Sequence, residues 1–571
     1  MTTYTLSNEE LSFLRESVRG FLSRHWPAAE AQTRQWQPDA IRALWQGLAE
    51  QGFTALGADP EAGGLRALVL LLEELGRAAC PVNMPAAALA NLALAGNGDD
   101  DSRQMLDGIA SGQWHPCLSL GVFDGAPNAC AAAQPAGELH YRYVEGAQSA
   151  SHILVATSDS SLGWAAADTG GIVVNATAGL AQPSLCELRL PAAALREIRL
   201  AGLRAADLRA LYQLLACARA LGAARRGFEL ATEHALERVQ FGQPIARFQA
   251  IQHKLADCLI RLDASGRMLE SAANAFDQQG DWHYFAAAAC SYASPALRQV
   301  SLETHHVLGA IGYAEEHEAP RHFRRCHADL ARFGGTARAR SKLARHLLDE
   351  GRDLPEYDIG EEGNAFRSEV RHWLESYWTP ERRARHRALP AEQREFDPDF
   401  TAATGELGWH RMSWPESFGG LDKSPLEQLA MIEEIQRSGS PRIARGEIQA
   451  HALIRYGSAE QQATFLPRLE SGEIKFCLGY SEPGAGSDLA SLQTRAERDG
   501  DDWVINGQKL WTTFAEQADY LWLAARTDPA AKPPHAGISV FIVPMNNPGI
   551  TIQPSMSLYG HNFCTEFLDN V

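Results

Sequence analysis

The 571-residue chain contains no uncharged apolar run of the roughly 20 residues that a membrane-spanning helix requires. Basic residues are in short supply. Lys and Arg number 52 against 70 Asp and Glu, and the resulting net charge of −18 argues against a nucleic-acid partner, which needs a basic surface to neutralise phosphates. The ten cysteines form no C-x-x-C and no close pair, a pattern of buried thiols in a reducing compartment rather than of disulfides or a zinc site. Histidine is plentiful, yet no H-E-x-x-H or comparable ligand spacing occurs, so no metal is expected. The opening "MTTYTLSNEE" lacks the basic region and apolar core of a signal peptide, and a cytoplasmic location is expected.

What is present is an ordinary globular balance, 45% hydrophobic and 21% charged, in a chain too long for one core. Self-similarity organises it. "FLRESVRGFLSRHWP" (13–27) resembles "AFRSEVRHWLESYWTP" (365–380), with Val18, Phe21, Leu22 and Trp26 matching Val370, Trp373, Leu374 and Trp378. "LAEQGFTALGADPEAGGL" (48–65) parallels "TGELGWHRMSWPESFGGL" (404–421), and "LLLEELGRAACP" (70–81) parallels "LAMIEEIQRSGSP" (429–441). Three matched blocks in one order, about 350–360 residues apart, indicate two copies of one large unit.

Apolar spacing separates the parts. Residues 1–115 carry helical periodicity, 116–203 read as short strands such as "SHILVATS", and 204–350 return to long helices. The acidic segment 351–362 is the expected linker. Copy two repeats the order with helices over 363–474 and strands over 475–571, and the second helical block of copy one has no counterpart within this sequence. The fold class expected is α+β, two tandem units of helical bundle, β-barrel or sandwich, and helical bundle, the second truncated.

Between strand-like segments of copy two lies "YSEPGAGSD" (480–488), followed by "WVINGQKLWTT" (503–513). Gly- and Ser-rich loops let backbone N–H groups approach a phosphate or a planar ring closely. A plain strand–turn–strand, with Asp488 as a cap and Trp511 packed in a β core, is the competing reading. Copy one contributes "ERVQFGQPIARFQAIQHKLAD" (237–257) and "LGAIGYAEEHEAPRHFRR" (308–325). In order and content these motifs resemble the acyl-CoA dehydrogenase family, and the resemblance covers essentially the whole chain, most closely members with two fused copies.

The resemblance implies FAD as cofactor and α,β-dehydrogenation of an acyl-CoA thioester to 2,3-enoyl-CoA, with electrons passed to an electron-transferring flavoprotein. It implies that Leu478, Tyr480 and Ser481 line the isoalloxazine and that Trp511 and Thr513 flank the ring and its ribityl chain. Gly486 and Ser487 then lie where flavin and thioester meet, Ser487 also touching substrate. Arg238, Phe241 and Gln249 correspond to residues that hold the adenosine diphosphate part of a flavin seated on a neighbouring subunit. Residue chemistry agrees for Arg238, a planar and permanently charged donor suited to pyrophosphate, although the same stretch can be read as a helix end capped at Gly242. A homodimer or pseudo-tetramer of copies is expected, with copy one's bundle gripping flavin in cis or across a dimer.

The departures carry as much information. Copy one has "LSLGVFDGAPNACAA" (118–132) where copy two has its flavin loop, and no W-x-I-N-G-x-K-x-W follows. His306 and the Gly309-Ala310 pair stand where the family often has Gln and Gly-Gly. The family's catalytic glutamate occupies one of two chain positions, and copy one has Gly334 and Tyr212 there. No base is nominated. Copy two's would lie beyond Val571, and residues 1–571 alone are not expected to turn over. Glu229, Glu233 and Glu237, and the basic run 321–346, read as solvated helix faces, as does 379–387. Two other functions compete: an acyl-CoA oxidase releasing peroxide, and a non-catalytic acyl-CoA- or FAD-binding scaffold. Fused relatives point to bulky, branched or steroid-side-chain thioesters.

Overall fold

A computed structural model of the chain describes residues 6–34, 37–59, 63–121, 137–353, 356, 358–390, 393–394, 397–443, 446–558, 560 and 562–571. It contains two compact units, Met1–Tyr357 and Asp358–Val571. Of the expected linker 351–362, residues 354, 355 and 357 lie outside the described residues. No helix among the described residues is long and apolar enough to cross a membrane.

The first unit opens with helices Asn8–His25, Ala28–Arg34, Pro38–Glu50, Gly64–Arg77, Met84–Leu94 and Asp100–Ala110. The second opens with Gly360–Tyr377, Pro380–Arg387, Pro398–Glu406, Pro425–Ser438, Glu447–Tyr456 and Ala459–Glu470. Local sequence fixes their starts. Ser7 with Glu10, and Ser424 with Glu427, form reciprocal capping boxes that satisfy otherwise orphaned N–H groups. The repeat extends to electrostatics. Arg19 grips the buried carboxylate of Glu74 at 2.6 Å with Arg15 reaching Glu73, and Arg371 grips buried Glu434 at 3.0 Å with Arg367 reaching Glu433. Each unit thus clamps its first helix to the helix bearing a Glu–Glu pair.

After the first helical block, unit one forms a four-stranded sheet from Pro116–Ser119, His152–Ser158, Ser161–Ala166 and Arg196–Arg199, and a three-stranded sheet from Glu138–Val144, Cys186–Pro191 and Val173–Ala176. Residues 122–136, which include most of the expected counterpart of the flavin loop, lie outside the described residues. The long helices Ala205–Glu237, Gln249–Asp277, Trp282–Leu308 and Ala319–Ala331 then build a bundle on an alanine- and leucine-rich core. In unit two, strands from Phe476–Gly479 to Asn562–Leu568 form one seven-stranded sheet. The nine described cysteines are all buried and unpaired.

Two glycines let the N-terminal helices and the bundle of unit one meet backbone to backbone. A Cβ at Gly222 would lie 1.7 Å from the Glu73 carbonyl oxygen, and one at Gly76 would lie 1.9 Å from that of Arg219. Beside this crossing, Arg219 bonds Asp329 at 2.6 Å and Glu145 at 2.9 Å, while Arg325 and Arg332 also reach Glu145. Burial works against the Glu145 charge, but the guanidiniums of Arg219, Arg332 and Arg325 outweigh it and hold the carboxyl well below the carboxylate range.

That cluster corrects the expectation for the basic run 321–346. Arg321, His322 and Arg325 are buried, because internal carboxylates and carbonyls were available to receive them. Glu229 likewise is not solvated. It is half-buried and held by Arg77 at 2.7 Å and Arg226 at 3.1 Å.

Gly222→Ala should destabilise unit one by about 3 kcal/mol, since backbone on both sides cannot yield. Gly20, in the middle of its helix with open space around it, is the control. Gly20→Ala should gain about 0.5–1 kcal/mol by helix propensity. Urea midpoints measure both, and equal midpoints for the two variants would contradict the close crossing.

Candidate flavin and acyl-CoA site

The loop 480–488 leaves the strand Phe476–Gly479 and makes a tight bridge between Glu482 and Ala485, joined by hydrogen bonds in both directions. The loop is held from beneath. Glu482, buried, accepts from the N–H groups of Gln493 at 2.6 Å and Thr494 at 2.9 Å, and from Lys509 Nζ at 2.8 Å. Lys509 is fully buried and also donates to the Tyr480 carbonyl at 3.1 Å. Burial opposes the charge on Glu482, yet Lys509 and the backbone donors hold its carboxyl below the ordinary value. The Leu510 N–H donates to the Ser481 carbonyl at 2.9 Å, so loop and strand Asp502–Thr513 are joined at two neighbouring points.

The next residue along is Trp511. The pairing of its strand with Asn562–Leu568 slips between Leu510 and Thr512, leaving Trp511 as the extra residue of a bulge with φ of +65°. A left-handed backbone at a bulky aromatic is strained, and bulges re-aim side chains. Trp511 is turned outward, 61% exposed, in edge contact with Phe563. The packed-core alternative for Trp511 is therefore overturned. Ser487 and Gly486 are exposed, with nothing within 4 Å of a Cβ placed on Gly486, whereas Ser481, Tyr480, Leu478 and Thr513 are half-buried. Leu478 and Tyr480 also pack against the cluster of Trp414 and Trp522.

Behind the bulge stands Glu566, a residue sequence reasoning missed. It is fully buried, accepts from Thr512 Oγ1 at 2.5 Å, and its Oε1 has no hydrogen-bond partner among the described residues. Burial pushes its carboxyl up to about 7, with Thr512 pulling the other way. The alternation of "CTEFL" puts Glu566 on the inner face with Cys564 and Leu568, the signal that could have found it.

In unit one, Arg238 caps the 33-residue helix Ala205–Glu237 and leads into a two-residue hairpin whose loop is Phe241-Gly242. Both loop residues have positive φ, +54° and +77°, and Phe241 is 93% exposed. Type I′ geometry is ordinary for Gly but strained for Phe, and this ring packs only edge-on against Phe248 at 5.9 Å among the described contacts. Arg238 and Gln249 are exposed on the same turn-helix junction. The structure brings Arg238, Phe241 and Gln249 together within unit one, and Ser481, Trp511 and Thr513 together within unit two.

The two positions expected for a glutamate, Tyr212 and Gly334, line one cavity of about 1460 Å³ in unit one. The Tyr212 hydroxyl lies 3.4 Å from Glu145, the Arg332 guanidinium sits 4.6 Å from its ring centre, and burial pushes the phenol up to about 12. A phenol so placed is neutral and cannot take a proton as a carboxylate does.

Comparison with known proteins agrees with this layout. The acyl-CoA dehydrogenase N-terminal domain matches twice, at 8–113 and 360–473, the C-terminal domain matches 210–348, and the middle domain matches 477–571. The chain is 31% identical to acyl-CoA dehydrogenase FadE34 of Mycobacterium tuberculosis over 99% of its own length and 77% of that protein's. The chain belongs to the acyl-CoA dehydrogenase family. It is 39% identical to FadE26 of the same organism over 36% of this chain, covering 52% of that protein, and it spans about half the length of several such relatives. Acyl-CoA dehydrogenase from Geobacillus kaustophilus shares the fold, with a TM-score of 0.51 at 20% identity over 61% of this chain and 100% of that one.

FAD is the cofactor of this family, and the residues of unit two fit it. A strained, outward-facing indole beside an open Gly-Ser loop is a surface shaped for a flat ring and not for self-packing.

Glu566 yields a pH prediction. Its folded value near 7 lies above the unfolded value of about 4.3, so its protonated form favours folding and stability is lost as pH rises between the two. The stability gap between the parent chain and Glu566→Gln should therefore shift by about 3–4 kcal/mol in favour of the variant between pH 4 and pH 8. A gap constant with pH, measured by urea unfolding, would show that the Glu566 carboxyl titrates alike in the folded and unfolded chain.

Proposed function

We propose that the chain serves an FAD-dependent dehydrogenation of an acyl-CoA thioester to the 2,3-enoyl-CoA, with the flavin ring seated by unit two. The observation that carries this reading is Trp511, held exposed in a left-handed bulge that the neighbouring hydrogen bonds tie to the loop 480–488. FAD, when bound, supplies a hydride acceptor for the β carbon of the acyl chain. The chain's own residues bind and orient. Trp511 offers a flat wall, Ser481 and Thr513 offer hydroxyl donors at its edges, and Leu478 and Tyr480 offer backbone contacts. Gly486 and Ser487 offer unhindered backbone N–H groups where negative charge develops, an arrangement that stabilises an electron-rich ring. Ser487 also faces the substrate thioester in this reading.

Arg238, Phe241 and Gln249 are proposed to hold the adenosine diphosphate portion of a flavin carried by a second copy of the chain, which makes the protein a homo-oligomer. Support comes from Phe241, whose strained conformation leaves its ring 93% exposed with only an edge contact to Phe248 among the described residues. Unit one takes no proton, because Tyr212 and Gly334 replace the carboxylate. An electron-transferring flavoprotein is the proposed acceptor, and peroxide release under air would assign the electrons to oxygen instead.

Trp511→Ala and Ser481→Ala should each disturb the flavin absorption envelope of purified protein, while substitutions at 118–121 should not. Equal disturbance from both places would move the ring site out of unit two. Arg238→Ala should weaken FAD retention about tenfold, the worth of one charge-assisted contact to pyrophosphate. Arg387→Ala, at an exposed position, should leave retention unchanged. FAD held as tightly by Arg238→Ala as by the parent would reduce the hairpin to a structural element.

A further inference from the structure

The bulge that turns Trp511 outward is bracketed by buried side chains. On its N-terminal side Lys509, opposite Glu566 in the strand register, is held by Glu482 and the Tyr480 carbonyl. On its C-terminal side Thr512 Oγ1 donates to Glu566 at 2.5 Å. Regular alternation from the buried Lys509 would send Trp511 inward and Thr512 outward. The extra residue reverses both, for Thr512 is buried and Trp511 is 61% exposed. The Thr512–Glu566 hydrogen bond therefore belongs to the register that presents the indole.

Glu566 is the member of this arrangement whose charge changes near neutral pH. Burial raises its carboxyl to about 7, and the Thr512 hydroxyl pulls it back. The groups that face it hold their state. Lys509, lowered by burial, is supported by Glu482 at 2.8 Å, whose own carboxyl lies below its ordinary value. Burial raises the thiols of Cys477, on the strand Phe476–Gly479, and of Cys564, on the strand of Glu566, the latter to about 11. Ile552 lies opposite from the strand Ile550–Met556, and the exposed carboxylate of Glu516 accepts from Asn562 at 2.8 Å. A hydrogen bond to a carboxylate is roughly twice as strong as one to a neutral carboxyl. By linkage, a hydroxyl that favours the charged form of Glu566 is itself drawn inward when that charge forms.

We propose that Glu566 is a positioning residue for Trp511: ionised, it draws Thr512 inward, and the strand then holds the indole out toward the flavin ring. The coupling of Glu566 to Trp511 stands on the strand register; its bearing on flavin rests on the ring site proposed for unit two. As pH rises through about 7 the carboxylate forms and the bulge is held, and below that value the hold weakens.

Fluorine NMR of the full chain labelled with 5-fluorotryptophan reads the coupling without any activity measurement. Trp511 is one of 13 tryptophans, and Trp511→Phe assigns its resonance. The isotope shift of that resonance between H2O and D2O reports the exposure of the indole. In the parent, exposure should rise between pH 5.5 and pH 8.5 with a midpoint of about 7. Glu566→Gln and Thr512→Val should stay at the low-pH value throughout, while Thr512→Ser, which keeps the hydroxyl, should follow the parent. Exposure constant with pH in the parent, or titrating unchanged in Glu566→Gln, overturns the proposal. Over the same range FAD affinity should tighten about tenfold more in the parent than in Glu566→Gln. Equal tightening in the two, with Trp511→Ala still weakening FAD, also overturns it. With the exposure still titrating, FAD held unchanged by Trp511→Ala supports the coupling and removes the ring site from unit two.

Discussion

The ion pair between Lys509 and Glu482 is the constraint on which the candidate ring site depends. A lysine with no exposure is costly to desolvate, and it persists because Glu482 and the Tyr480 carbonyl accept its hydrogen bonds. Glu482 in turn fixes the backbone of Gln493 and Thr494. One buried contact therefore joins the loop, the strand after it and the long strand bearing Trp511. With Lys509 and Leu510 pinned, the slip in strand register falls on Trp511, and the side chain that would have alternated inward is exposed. A buried pair of this kind contributes geometry more than stability, which suits a ring site.

The two copies have kept the same mechanical frame and diverged in chemistry. Both retain an Arg–Arg helix clamped on a Glu–Glu helix, at matching places in their sequences. Unit two keeps the Gly-Ser loop and its buried lysine. Unit one has the exposed Arg238 hairpin and a roomy chamber whose wall includes Tyr212 and Gly334.

Much of this was legible in the sequence, where the signal was local. Helical periodicity, the strand-like segments and the three repeated blocks are short-range patterns, and the motif "YSEPGAGSD" with "WVINGQKLWTT" carried the family. What was hidden depends on partners distant along the chain. Arg325 meets Glu145 across 180 residues, and nothing in "RHFRRCHADL" distinguishes a buried arginine from a solvated one. Glu229 was misread for the same reason, since Arg77 lies 152 residues away. The exposure of Trp511 needed the register slip, a property of a strand pair and not of one strand. Glu566 was within reach of the alternation rule, since Cys564 and Leu568 share its face.

Hydrogen exchange of the purified chain, with and without added FAD, tests the central claim most directly. The account predicts new protection at 480–488 and 508–514 of unit two, where Lys509 holds the loop against the bulge, and at the Arg238–Gln249 turn. Protection at 118–121 of unit one, with 480–488 and 508–514 unchanged, would contradict it.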